Sequence, residues 1–326
     1  MLPTQHRRVG LLPGPDKPFA LSIFELCAHK LTANAAFTRV ATGVIMKNFK
    51  DKVAVITGAG SGIGRALAMN LAASGAKLAL SDINEAGLKE TANSLNLSED
   101  RLMTKILDVA DRQAFYAFAD DVVNHFGHAN MIFNNAGVAL GATVEEMDYD
   151  DFEWLMNINF WGVVYGTKAF LPYLKQAGEG HIINISSIFG LVGIPTQSAY
   201  NAAKFAVRGF TESLRIELEL EGSPVSCTSI HPGGIKTNIA KAARMSDGVE
   251  RITGASKEQA IQDFEKMFRT TPEEAASTIL KGVRGNKRRV LIGSDAIAVD
   301  TMQRLLPTSY QRLIAMGQKY MNKSKG

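Results

Sequence analysis

The chain has little cysteine: Cys27 and Cys227 are the two among 326 residues. Two cysteines cannot build a disulfide framework, so reduced thiols and a cytoplasmic setting are expected. Histidine is scarce too, with six in all, and none forms a close pair with cysteine or acidic residues at metal-ligand spacing. No metal site is therefore expected. Long uncharged runs are nearly absent. The stretch 181–203 lacks Asp, Glu, Lys and Arg, but its first half alternates like a strand and Gly190, Gly193 and Pro195 interrupt it, so it does not read as a membrane span. Internal repeats and low-complexity tracts are also missing.

What is present describes a folded protein. Hydrophobic residues make up 46% and charged residues 21%, which predicts a packed core rather than disorder. A single α/β domain of roughly 250 residues falls within the usual size range and leaves material for extensions at both ends. The net charge of +4 is unevenly placed: 281–326 carries ten basic and two acidic residues, leaving 26 basic against 30 acidic elsewhere. A basic tail can touch nucleic acid or anionic lipid; a solvated helix or a subunit contact is the reading adopted, with no nucleic-acid role. Over 296–321, Val299, Met302, Leu305, Leu306, Leu313 and Ile314 recur near helical spacing with Arg and Lys between them. Pro307 divides this tail into two short helices. It could lie on a membrane surface, although docking on its own domain or on a partner subunit is expected.

Residues 1–45 do not resemble the rest of the chain. Three readings stand: a stretch upstream of a natural start at Met46, a targeting peptide carrying Arg7, Arg8 and Arg39 with two acids, or a helical arm over 19–44. From Lys52 onward strands and helices alternate. Strands are predicted at 53–57, 77–82, 102–107, 129–134, 181–186, 225–230 and 289–292. Helices are predicted at 63–73, 85–95, 112–126, 149–173 and 199–221. The alternation implies parallel βαβ units in a doubly wound, Rossmann-type sheet with three α/β/α layers. Near-continuous apolar strands agree with a sheet covered on both faces. The expected organisation is an N-terminal extension to 45, one domain over 46–293 with a substrate loop at about 238–270, and the tail 294–326.

Thr57-Gly58-Ala59-Gly60-Ser61-Gly62-Ile63-Gly64 joins the first strand to the first helix. Glycines there permit a tight turn and close approach of backbone to a pyrophosphate, and the helix beyond directs its free N–H groups and dipole at that anion. Asp82 ends the second strand, where a carboxylate can accept bonds from the adenosine ribose hydroxyls and repel a 2′-phosphate. Its neighbours Ser81, Ile83 and Asn84 carry no positive charge, and Arg65 sits inside the first helix. NAD(H) is expected over NADP(H).

The spacing Gly58-x-x-x-Gly62-x-Gly64 differs from the usual dinucleotide fingerprint and resembles the short-chain dehydrogenase/reductase family, with its T-G-x-x-x-G-x-G form. Further marks appear in order over about 52–292. Asp108-Val109 comes after the third strand, where the resemblance implies adenine contacts. Asn134-Asn135-Ala136-Gly137 ends the fourth strand beside the cofactor. Pro232-Gly233 and Thr237 resemble the segment that binds the nicotinamide amide.

Tyr200 is the one tyrosine of seven with a lysine, Lys204, four residues later. On a helix the pair shares a face, and the ammonium should favour the phenolate, lowering a pKa of about 10 toward working pH. A tyrosine so tuned can exchange a carbinol proton. Ser187, thirteen residues before Tyr200 at a strand end, can hold the substrate oxygen; Ser186 is the alternative. The resemblance implies that Asn159 completes a tetrad by holding a water in a proton relay to Lys204, and that Lys204 bonds the nicotinamide ribose. A hydrophobic secondary alcohol or ketone is expected from the apolar residues Val138, Ala139, Leu140, Ile188, Phe189, Leu191, Val192, Ile194 and Ile239, with Ser187, Tyr200, Phe189 and Val138 as first candidates for contact. A homodimer or homotetramer is expected. The rival readings are an acyl-thioester or steroid ketoreductase using NADP(H), an extended-type sugar epimerase or dehydratase, and an NAD-binding regulatory protein.

Overall fold

The computed structural model describes residues 46–256 and 268–323, together with 258, 259 and 262. The segment 1–45 and part of the loop 238–270 lie outside the described residues. Seven parallel strands form one sheet: β1 (Val53–Thr57), β2 (Lys77–Asp82), β3 (Leu102–Ile106), β4 (Met131–Asn134), β6 (Gly180–Ile185), β7 (Val225–Pro232) and β9 (Arg289–Ile292), in spatial order β3-β2-β1-β4-β6-β7-β9. The chain moves outward from β1 to one edge, then restarts at β4 and moves to the other. The reversal between β1 and β4 opens a crevice at the strand C-termini, the place where open α/β sheets take ligands. A second sheet pairs two short strands, β5 (Leu140–Gly141) and β8 (Arg244–Met245).

Helices cover both faces, in keeping with the apolar strands. In β1, Ala54 and Ile56 join the core under α1 (Gly62–Ala73) and α8 (Pro272–Arg284), while Val53 and Val55 join the opposite core under α3 (Arg112–Phe126), α5 (Gly162–Gln176) and α6 (Ser198–Leu220). That alternation is the two-residue period of a strand buried on both sides. Phe115, Phe118 and Phe170 are fully buried in the second core, each contributing about 1.5–3 kcal/mol of burial free energy. Met46 and Phe49 pack into the first. α2 (Glu85–Leu95) starts where the Asn84 side chain accepts a bond from Gly87 N, and α3 where Asp111 does the same for Ala114 N.

Two departures from the expected elements matter. The helix expected over 149–173 is interrupted: α4 (Tyr149–Met156) runs into a wide π turn at Asn157–Trp161 before α5 begins. Hydrophobic periodicity does not register one inserted residue, so the pattern reads as continuous. The helix α8 is absent from the expected set, although Thr271-Pro272-Glu273-Glu274 spells its start. Thr271 Oγ1 accepts from Glu274 N, and the Glu274 carboxylate accepts from Thr271 N. A short helix, α7 (Gly248–Thr253), comes directly after β8. The tail is two helices, α9 (Ser294–Leu305) and α10 (Tyr310–Lys323), parted at Pro307. No helix among the described residues is long and apolar enough to cross a membrane.

Candidate active site

The glycine turn is shaped by near contacts between backbones. Gly58 and Gly62 hold φ of +65° and +51°, which side chains rarely tolerate. A Cβ on Gly64 would lie 2.1 Å from the Gly58 carbonyl oxygen, and one on Gly60 2.9 Å from Asp82 Oδ2. Ser61, at the N-cap of α1, makes no side-chain cap bond, and the first turn holds no acidic residue. The helix N-terminus is thus left to an external anion, and the turn fits a pyrophosphate. Thr57 anchors the turn's base: its Oγ1 accepts from Asn135 N at 3.0 Å and Ala136 N at 3.1 Å. Asn135 Nδ2 donates to the Thr57 and Gly58 carbonyls.

The Asp82 carboxylate accepts from Gly60 N and Asn84 N, each at 2.8 Å. One side chain therefore sets the turn and the start of α2 together. Arg65 grips Glu90 through both terminal nitrogens and also donates to Thr91 Oγ1 and the Gly60 carbonyl. It is a strut between α1 and α2, already paired with a carboxylate. Asp108 is exposed and accepts from Ala110 N; Val109 is buried against Gly162. A Cβ on Gly62 would meet the Thr237 methyl at 3.0 Å, so the segment after β7 closes over the turn.

Across the crevice, Ser187, Tyr200 and Lys204 come together. Lys204 Nζ lies 5.4 Å from the Tyr200 ring centroid and donates to the Ile185 carbonyl at 3.0 Å. Burial draws its pKa down to about 8. The expected lowering of the tyrosine pKa is not found: burial pushes Tyr200 up to about 12, with the Ser187 hydroxyl pulling weakly the other way. Desolvation of the phenolate is the larger effect. Of the two candidate serines, Ser186 donates to the Lys204 carbonyl at 2.8 Å, whereas Ser187 faces the tyrosine. Phe189 stands edge-on to the Tyr200 ring at 5.9 Å, and Val138 packs in the same cluster.

Asn159 is fully buried in the π turn, and its amide is clasped by one residue: Oδ1 accepts from Val138 N and Nδ2 donates to the Val138 carbonyl, both at 2.8 Å. Gly137 passes between Asn159 and Lys204; a Cβ there would lie 3.2 Å from Asn159 Oδ1 and 3.6 Å from Lys204 Nζ.

Three supporting residues are not legible in the sequence. Asn201 donates to the Phe189 and Val192 carbonyls and accepts from Ile194 N, fixing the loop after Ser187. His231 Nδ1 donates to the Ser187 carbonyl at 2.9 Å, with Ser229 Oγ on its other nitrogen. Asp295, in the first turn of α9, accepts from Gly234 N at 2.7 Å, and a Cβ on Gly233 would strike its carboxylate at 2.1 Å. Adjacency of Asn201 to Tyr200 is the available signal for the first; Asp295 carries none.

The family model for short chain dehydrogenase matches residues 52–248. The chain belongs to the short-chain dehydrogenase/reductase family. The Mycobacterium tuberculosis protein SadH, whose name places it among the oxidoreductases, is 50% identical over 273 residues, 83% of this chain and 97% of that protein. A C alpha-dehydrogenase of Sphingobium sp. is 35% identical over 247 residues, 74% of this chain and 80% of that one. A short-chain dehydrogenase/reductase from Burkholderia phymatum, solved in complex with NAD, superposes with a TM-score of 0.72 at 30% identity, covering 79% of this chain and 95% of that one. This member of the family is thus an oxidoreductase with the NAD(P) dependence typical of its relatives.

Proposed function

We propose that this protein interconverts a hydrophobic secondary alcohol and its ketone with NAD(H), using Tyr200 as general acid and base. The observation that carries the reading is the cluster of buried Ser187 and Lys204 with half-buried Tyr200. Gly58, Ser61, Gly62, Ile63 and Gly64 would hold the pyrophosphate. Asp82 would take the adenosine ribose, Asp108 and Val109 the adenine side, and Asn135, Ala136 and Gly137 the cofactor's flank. Pro232, Gly233 and Thr237 would meet the nicotinamide amide, and Tyr200 and Lys204 the nicotinamide ribose. NAD is favoured over NADP because Asp82 ends β2 as a carboxylate while Arg65 already grips Glu90. Bound NAD+ would supply the hydride acceptor.

Ser187 Oγ holds the substrate oxygen, and Tyr200 Oη exchanges the proton with it. Lys204 stands beside the ring without lowering the phenol. Asn159 keeps the 137–138 backbone against Lys204; a proton relay through it is part of this proposal. With the phenol pushed up to about 12, Tyr200 is protonated at neutral pH and ready to donate in ketone reduction. Alcohol oxidation must remove that proton, so its rate should climb as pH rises. Phe189 and Val138 beside Tyr200 support an apolar substrate. Exposed Trp161, Phe205, Ile216 and Leu220 on and around α5 and α6 support contact between subunits. Steady-state assays of NAD+ and NADP+ against a panel of alcohols and ketones test the reading. Turnover of hydrophobic alcohols with NAD+ is expected; a clear NADP+ preference, or activity confined to sugars and small polyols, would refute it.

A further inference from the structure

The helix α10 touches its own domain along one narrow row. Tyr310 is buried and its hydroxyl accepts from Gly193 N at 3.1 Å. Ile314 and Gln318, one and two helical turns on, are half-buried. Tyr310 and Ile314 wall a groove of about 540 Å³ with Ile194 and Phe205, on the face of α6 adjoining that of Tyr200 rather than over Tyr200 itself.

A second apolar row lies about 120° around the helix, by the 100° step between residues. It comprises Leu313, Met316 and Tyr320, exposed by 48%, 66% and 77%. Arg312 and Lys319, both exposed, border that row on the side away from the docked one. A helix that only packs on its domain has one apolar stripe and a polar remainder; α10 has two stripes. The surrounding charge has one sign, because beyond Asp300 the sequence contains Arg304, Arg312, Lys319, Lys323 and Lys325 and no Asp or Glu.

We propose that the outer row of α10 docks on an anionic lipid surface, with Leu313, Met316 and Tyr320 entering the headgroup boundary and Arg312 and Lys319 meeting lipid phosphates. Charge complementarity selects this occupant. Symmetric pairing with a second α10 would set cations against cations, whereas an anionic bilayer offers apolar depth and negative charge together. Three apolar side chains bind weakly alone, so contact should depend on lipid charge and weaken with salt. Through Tyr310 and Gly193, the surface would lie beside the loop that comes after Ser187.

The test is sedimentation of the full-length protein with vesicles of mixed phosphatidylglycerol and phosphatidylcholine, and with phosphatidylcholine alone. Binding to the anionic vesicles is expected, with more than tenfold weaker binding to the neutral ones. The pair Arg312→Gln/Lys319→Gln and the pair Leu313→Glu/Met316→Glu should each weaken binding more than tenfold without changing the melting temperature, since all four side chains are exposed. Absence of binding to anionic vesicles, or binding by both variants equal to that of the wild type, would overturn the proposal. So would light scattering in which the wild type is an oligomer that Leu313→Glu/Met316→Glu dissociates, for the row would then belong to a second copy.

Discussion

The two sides of the crevice are built by opposite means. The side proposed to hold the cofactor is made of backbone: positive-φ glycines, an uncapped helix start and carbonyls clasped by Asn135, with the Asp82 side chain accepting from Gly60 N. The side proposed to react is made of side chains whose charged forms burial disfavours, half-buried Tyr200 pushed up and buried Lys204 drawn down. A backbone site tolerates little added volume. A buried side-chain site is sensitive to each polar group it loses.

The strongest way to break this comparison is Tyr200→Phe. It removes one hydroxyl and should lower turnover roughly 100- to 10,000-fold, while NADH fluorescence titration shows that NADH still binds. Near-normal turnover would end the case for Tyr200. Gly64→Ala probes the other side, since its methyl must displace the Gly58 carbonyl. NADH binding should be lost, and stability should fall by about 1–3 kcal/mol in denaturant melts. Wild-type affinity would mean that the turn is not a close-packed cradle.

Asp82→Ala removes the acceptor for Gly60 N and Asn84 N. The ratio of kcat/KM for NAD+ to that for NADP+ should fall about tenfold, a change of roughly 1.4 kcal/mol; an unaltered ratio would transfer the selectivity elsewhere. Asp295→Ala should raise the KM for cofactor a few-fold with little change in kcat, and Asp295→Asn, which can still accept from Gly234 N, should restore it. Equal KM values in all three proteins would make Asp295 a scaffold residue alone.

The smallest effect is on stability in mild acid. Burial draws His181 down to about 3 and His231 to about 4. Both stay neutral when folded but bind a proton near pH 6.5 when unfolded, so their contribution is complete above pH 6.5 and is lost as pH falls toward 4. Thermal melts from pH 7 to 4 should decline, less steeply in His231→Gln. A flat profile would show that the pocket beside Ser187 admits water.

Much of the sheet is legible in the sequence because buried parallel strands are apolar runs set apart by amphipathic helices; β1, β2 and β9 begin and end where the pattern places them. The π turn at Asn157–Trp161 is not legible, because one extra residue changes the helix's phase without changing its composition. The pairing of β5 with β8 is hidden because two-residue strands have no period. In the site, Gly58, Gly62 and Gly64 stand out by spacing, since φ and close approach are local demands. Asp295 is 61 residues from Gly234, and no local pattern links them.

The sequence by itself determined the βα alternation, the glycine turn and the i, i+4 placement of Tyr200 and Lys204, all consequences of short-range sterics and helical pitch. Only the tertiary structure decided which serine faces the tyrosine, that Arg65 grips Glu90, and that Tyr200 is raised rather than lowered in pKa. Those outcomes depend on which groups burial brings within hydrogen-bonding reach of one another and how much water it removes, and neither quantity is written in the order of residues.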